Sequence, residues 1–231
     1  MSANAASSAP RGTGALVVFA KWPAAGAVKT RLCPPFTPEQ AAAFYDAMLG
    51  DVLDAMARLA PPLGLELVLA AHPHEALGRF AERAPGWRIV AQEGADLSAR
   101  MEHAAASELA RGAARVLLRG SDNPALDAGV LAAALAALER CDVALSPDRD
   151  GGYGLVALRR FAPGMFAHAM STATVLSDTR AAARALGMTS ELLAPCFDVD
   201  TAADLELLRA ARPRAAALCP RTYAWLDANA L

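Results

Sequence analysis

The chain has 231 residues, 55% of them hydrophobic and 20% charged, with a net charge of −2. That length suits one large domain with a well-buried core rather than two full ones, and the near-neutral balance supplies no basic field for nucleic acid. Apolar runs fall short of the ~18 residues needed to span a bilayer, residues 1–14 lack the apolar core of a signal peptide, and Cys33, Cys141, Cys196 and Cys219 form no C-x-x-C pair, so a reduced cytoplasm is the expected setting.

A loose tail rich in Ala and Ser is expected over 1–14 and a single domain over 15–231. The first strand is predicted at 15–20, followed by a Pro/Gly-punctuated loop over 21–38, long enough to suggest a functional loop. That loop begins with Lys21 and carries Lys29-Thr30-Arg31 three residues after Gly26. Arg forks onto two oxygens and Lys acts as a point charge, so the pair can neutralise a diphosphate. A Walker A loop is excluded, because Val28 stands where its second glycine belongs. Alone, the tripeptide also reads as a solvated basic loop. Thr37-Pro38-Glu39-Gln40 then opens a helix with a side-chain cap and an early proline. Phe44, Met48, Val52, Leu53 and Met56 keep its helical period.

Strands at 65–70 and 87–91 flank a short helix at 74–83. Gln92 closes the third strand, where an amide can donate to and accept from a nucleobase edge, although singly it reads as an ordinary loop residue. A helix at 96–111 leads to a strand at 115–118. Next comes Gly120-Ser121-Asp122-Asn123-Pro124, a sharp turn whose carboxylate can hold a hard cation and whose glycine admits a ligand close to the backbone. A capped turn before the helix at 127–140 explains it equally well. A fifth strand at 141–145 completes an alternation that predicts a mostly parallel sheet with right-handed crossovers.

Asp148-Arg149-Asp150-Gly151-Gly152-Tyr153 is a glycine-kinked turn in which Asp150 can accept a hydroxyl hydrogen bond or act as a base. A plain hairpin turn accounts for the glycines too. The strand at 153–158 is reached too tightly for a parallel crossover and is predicted antiparallel. A helix at 172–186 and a strand at 190–193 follow. Asp198-Val199-Asp200 then sets two carboxylates on one side of an extended segment, which suits a metal because unpaired like charges repel. Thr201 caps a helix at 202–211, and 214–229 is predicted as an outer helical segment. His72, His74, His103 and His168 show no zinc-ligand spacing. The polar clusters each follow a strand, and ligands of open α/β sheets bind beyond the carboxyl strand ends, so the clusters describe one site.

Read together, Phe19-Ala20-Lys21-x-Pro23-x-x-Gly26-x-Val28-Lys29-Thr30-Arg31-Leu32, Gly120-Ser121-Asp122-x-Pro124-x-Leu126, Asp150-Gly151-Gly152-Tyr153 and Asp198-Val199-Asp200-Thr201-x-x-Asp204-Leu205 resemble a bacterial family. It is the radical-SAM/selenodomain-associated transferases, often labelled arsenosugar-biosynthesis glycosyltransferases, of the GT-A nucleotide-diphospho-sugar transferase superfamily. The resemblance implies an α/β, Rossmann-like GT-A fold with a mostly parallel central sheet, an antiparallel strand and helices on both faces. It implies Asp122 as the metal acid, Asp200 as a second ligand with Asp198 behind it, Gln92 and 94–101 as the base-reading segment, and Ser171-Thr172 with Val175-Leu176 on the acceptor side. The chain departs from the family at Ser98, where glycine is usual, at Gly154, where an aromatic pair is broken, and at Phe197, where tyrosine is common.

These readings predict a metal-dependent glycosyltransferase using Mg²⁺ or Mn²⁺ on Asp122, Asp200 and Asp198, with Lys29 and Arg31 sharing the diphosphate charge. Lys21, Gly26, Thr30, Gln92, Gly120 and Ser121 would bind the nucleotide, while Gly151, Gly152, Tyr153, Ser171 and Thr172 would bind a small-molecule acceptor that Asp150 activates. The alternatives are a nucleotidyltransferase that joins a nucleoside triphosphate to a phosphorylated acceptor, and a non-catalytic nucleotide-binding protein. Base, sugar, acceptor and oligomeric state stay open.

Overall fold

The computed structural model describes residues 14–229. The tail expected over 1–14 lies outside them except for Gly14, which is instead the first residue of a strand. Among the described residues the core is a seven-stranded sheet. Its strands are β1 (Gly14–Lys21), β2 (Leu65–His72), β3 (Arg88–Ala91), β4 (Val116–Gly120), β5 (Val143–Pro147), β6 (Tyr153–Leu158) and β7 (Ser190–Leu192), in the order β3-β2-β1-β4-β6-β5-β7. β6 runs antiparallel to both β4 and β5, as its short approach predicts, and the other pairs are parallel.

Helices cover both faces. On one, α1 (Pro38–Leu59), α2 (Leu77–Arg83) and α4 (Ala128–Ala137) close a core around Leu16, Val18, Val52, Phe80 and Leu131. On the other, α3 (Leu97–Ala110) and α5 (Val175–Ala185) pack over Val17, Val116, Val156, Met101 and Ala183. α6 (Ala202–Ala215) and α7 (Pro220–Ala228) form a third cluster with Phe44 and Met48 of α1. Local chemistry sets the helix starts: Gln40 N–H donates to Thr37 Oγ1 while Thr37 N–H donates to Gln40 Oε1, and Asp127 Oδ1 takes the N–H groups of Gly129 and Val130.

Several details differ from expectation, including β5, which runs two residues later than the expected 141–145, and α4, which ends at Ala137. The long loop after β1 contains a 3₁₀ turn, Thr30–Leu32. α6 runs through Pro213 to Ala215 before the chain breaks, so the segment predicted at 214–229 begins its own helix only at Pro220, a favoured first-turn position for proline. α5 starts at Val175, because Thr172 and Thr174 spend their hydroxyls on each other and on Asp178 in the turn before it.

Candidate active site

The chain runs from β1 to β2 and β3 on one side, then crosses back to β4 on the other, so the crevice beside β1 and β4 is the topological switch point of the sheet. A cleft of about 480 Å³ opens there. It is lined by Lys21 at the end of β1, Lys29, Thr30 and Arg31 from the loop after it, Gln92 after β3, Arg119 to Asp122 at the end of β4, Asp148, Asp150, Gly152 and Tyr153 across the β5–β6 turn, Met170 to Thr172, and Asp198 with Asp200. The clusters expected to meet therefore do meet. Gly26 and Gly151 shape adjoining turns without lining the cleft.

Lys29 is the centre of the charge arrangement. Its ammonium contacts Asp122 and, at 2.8 Å, Asp200, with only 3% of its side chain exposed. Burial alone would lower the lysine, but the charges and hydrogen bonds of Asp122 and Asp200 outweigh it and hold the ammonium above its ordinary value. Arg31 reaches Asp200 at 3.6 Å from an exposed position. The backbone brings the two acids together: Val199 N–H donates to Asp122 C=O at 2.9 Å, and Asp204 Oδ2 accepts the N–H groups of Asp200 and Thr201. Thr201 is the N-cap of α6, as the sequence suggests, and Asp204 completes the capping box with it. Asp198 lies deeper, beside Asp148, whose carboxylate accepts its N–H. Burial first, then repulsion by Asp122, Asp148 and Asp200, pushes the Asp198 carboxyl up to about 8, against the pull of Lys29.

Beneath these acids sits Arg119, a buried guanidinium whose Nε donates to Gly120 C=O at 3.0 Å and whose Nη2 donates to Asn123 C=O. It braces the turn that presents Asp122, and burial pulls its pKa down to about 10. Tyr45 of α1 reaches in as well, with its hydroxyl 2.7 Å from Ser121 Oγ and accepting Lys21 N–H at 3.1 Å. Sequence reading missed both. Tyr45 hides within an apolar helical stripe; the signal for Arg119 was a charge at the end of the buried run Val116-Leu117-Leu118.

Other expected residues arrive with altered duties. Gln92 spends its amide hydrogens on the C=O groups of Ala20 and Ala70, at 3.1 and 2.9 Å, and its Oε1 faces Arg100. Its side chain thus ties strand ends together more than it offers an edge to a base. Asp150 Oδ1 accepts Gly152 N–H at 2.9 Å in an exposed turn, the ordinary turn chemistry. Tyr153 gives the cleft its ring, because its hydroxyl turns inward to Thr179, which also meets His168 Nε2 at 2.9 Å. Two positions that depart from the resembled pattern have local partners. Ser98 Oγ donates to His168 C=O at 2.9 Å, and a Cβ at Gly154 would stand 2.6 Å from Cys196 Sγ.

The acids are hard oxygen donors, and magnesium asks for one or two carboxylates plus substrate phosphates and water. Asp122 and Asp200 meet that requirement, although no group of three acidic, His or Cys side chains among the described residues forms a ready cage. The donor set fits an ion that arrives with a phosphate.

Residues 55–172, half the chain, match the family described as "Uncharacterized protein conserved in bacteria (DUF2064)". The chain belongs to the DUF2064 family. It is similar over 94% of its length, at 32% identity and a TM-score of 0.86, to 95% of a Desulfovibrio desulfuricans G20 protein crystallised as a "putative nucleotide-diphospho-sugar transferase". It is 40% identical over 139 residues to a 3-phospho-D-glycerate guanylyltransferase of Phenylobacterium zucineum (strain HLK1), a match covering 58% of this DUF2064 chain and 62% of that enzyme. The fold also matches 4-diphosphocytidyl-2C-methyl-D-erythritol synthase of Anaerococcus prevotii DSM 20548, with a TM-score of 0.56 over 87% of this chain and 97% of that one, at 11% identity. No helix among the described residues is long and apolar enough to cross a membrane.

Proposed function

We propose that this DUF2064 protein is a nucleotidyltransferase, in which an oxygen of a phosphorylated acceptor bonds to the α-phosphorus of a nucleoside triphosphate and the bond to the bridging oxygen breaks, releasing pyrophosphate. The observation that carries this is a cleft rich in charge handling and poor in placed bases. Lys21 at the end of β1 and Lys29 and Arg31 from the loop after it reach the edge where Asp122 and Asp200 stand, while the acid of the acceptor turn, Asp150, is engaged in its own turn. A phosphate nucleophile is already anionic and needs no base, whereas its transition state needs cations on the phosphoryl oxygens. The guanylyltransferase relative supports the same chemistry.

Lys29, Arg31 and Lys21 neutralise the triphosphate as charge moves to the leaving pyrophosphate; the Thr30, Gly120 and Ser121 edge seats it, and Gln92 backs the nucleoside. Asp122 and Asp200, with Asp198 behind them, would hold Mg²⁺ or Mn²⁺, which when bound screens the phosphates. Gly152, Tyr153, Ser171 and Thr172 form the acceptor wall, with Gly151 setting the turn behind them, in a single domain that works in the cytoplasm.

Sugar transfer from a nucleotide sugar is the second reading. It is favoured by whole-chain similarity to the Desulfovibrio protein and is what the motif resemblance to radical-SAM-associated, arsenosugar-type transferases implies. Phosphorus NMR of reactions with each nucleoside triphosphate and a panel of phosphorylated acceptors tests the assignment. Pyrophosphate with a capped product is expected. Nucleoside diphosphate released only from nucleotide sugars would replace it with the second reading.

A further inference from the structure

Lys29 stands where a cation shared by Asp122 and Asp200 would stand. Its ammonium contacts both carboxylates, and it is closed off while the acids keep 39% and 37% of their side-chain exposure towards solvent. The lysine reaches this place from a loop, with its backbone in the left-handed region at φ 49°, a conformation that is strained for a non-glycine residue. Asp122, Asp148, Asp150, Asp198 and Asp200 line the same cleft with Lys21, Lys29, Arg31 and Arg119, and Lys29 is the cation that contacts both Asp122 and Asp200 at close range.

We propose that Lys29 is a displaceable occupant of the cation seat, so that a divalent ion enters only together with the phosphate that takes over the lysine. The idea rests on the nucleotide-phosphate reading of the cleft. A dication and an ammonium repel each other and cannot occupy one point between two carboxylates. A displaced ammonium in a nearly closed position needs another anion, since an unpaired buried charge is strongly destabilising. A phosphate provides that anion, and the carboxylates it frees receive the metal. Metal and phosphate binding are then positively coupled, and by linkage the coupling is reciprocal.

The test is Mn²⁺ binding followed by electron paramagnetic resonance, with the metal alone, on the full chain and on Lys29→Met, which keeps an apolar stem without the charge. Wild type should bind Mn²⁺ weakly, and the variant more tightly by about tenfold or more, within the usual range of coupling. Equal affinities, or weaker binding by a folded variant, overturn the proposal. Lys29→Gln is the second variant should methionine prevent folding, and tight Mn²⁺ binding by wild type alone overturns the idea without any variant. A gain of Mn²⁺ affinity with no nucleotide bound by either protein supports the lysine's role and removes the nucleotide reading. Metal-dependent nucleotide binding without that gain does the reverse.

Discussion

Asp150 separates the two transfer chemistries at a single residue. A hydroxyl acceptor needs its proton removed, and general-base assistance is worth about 10²–10⁴ in rate; a phosphate acceptor carries no such proton. Asp150→Asn keeps the oxygen that accepts Gly152 N–H, so the turn survives. The expected result is kcat within about threefold of wild type, whereas a fall of 10² or more would restore the base role and sugar transfer with it. Asp198 gives a second residue-scale expectation. Its folded carboxyl titrates at about 8 against 3.8 in the ordinary state, chiefly through burial. The native protein therefore holds a proton that the unfolded chain has lost, and the stabilisation present at acid pH disappears as pH rises through the folded value. The melting temperature of the metal-free protein should fall between pH 5 and pH 8, and Asp198→Asn should flatten that fall; parallel curves would contradict it. The motif acids and cations were legible because they gather at the carboxyl ends of strands, where open α/β sheets bind ligands. Which of them contact each other was not, since Lys29 is 171 positions from Asp200 and no periodicity links the two.

Two pairs of elements hold the cleft walls in place. Asp51, fully buried in α1, accepts the N–H groups of Arg221 and Thr222 at 3.1 and 2.7 Å and the Thr222 hydroxyl at 2.7 Å, and so caps α7 from across the fold. Asp51→Ala strands those donors and should cost about 2–4 kcal/mol, measured as a lower urea midpoint, with kcat of the remaining folded enzyme unchanged. On the acceptor side, Gly151 has φ +91°, a Cβ there would lie 2.0 Å from Ala173 C=O, and Gly151 C=O accepts Leu176 N–H at 2.9 Å. Gly151→Ala must push the two acceptor segments apart. It should raise the acceptor KM at least about tenfold while the nucleotide KM barely moves; equal changes in both would detach this turn from the acceptor. The strands and helices themselves followed from apolar period and caps. What escaped was the cross-fold cap, because an aspartate in a helix reads as solvent-facing until its partner helix, far along the chain, is in view.

The whole molecule divides at its switch point. Alternating strands and helices made the parallel sheet legible, and the short connection over 148–152 to β6 made its direction legible. The strand order was not, because local pattern does not say that β6 inserts between β4 and β5. That order has a functional consequence. The loops after β1, β3 and β4 form one lip of the cleft, and the β5–β6 turn with the 170–172 segment forms the other. A nucleotide with Mg²⁺ should therefore protect 26–32, 92–101 and 120–123 from hydrogen exchange and leave 148–153 and 170–174 close to their free rates, since amides slow only where binding removes local opening. Adding the acceptor should then slow the second set. Protection of both lips by nucleotide alone would mean that the donor spans the cleft, as a nucleotide sugar with its sugar against the Tyr153 ring would, and would shift the assignment to sugar transfer.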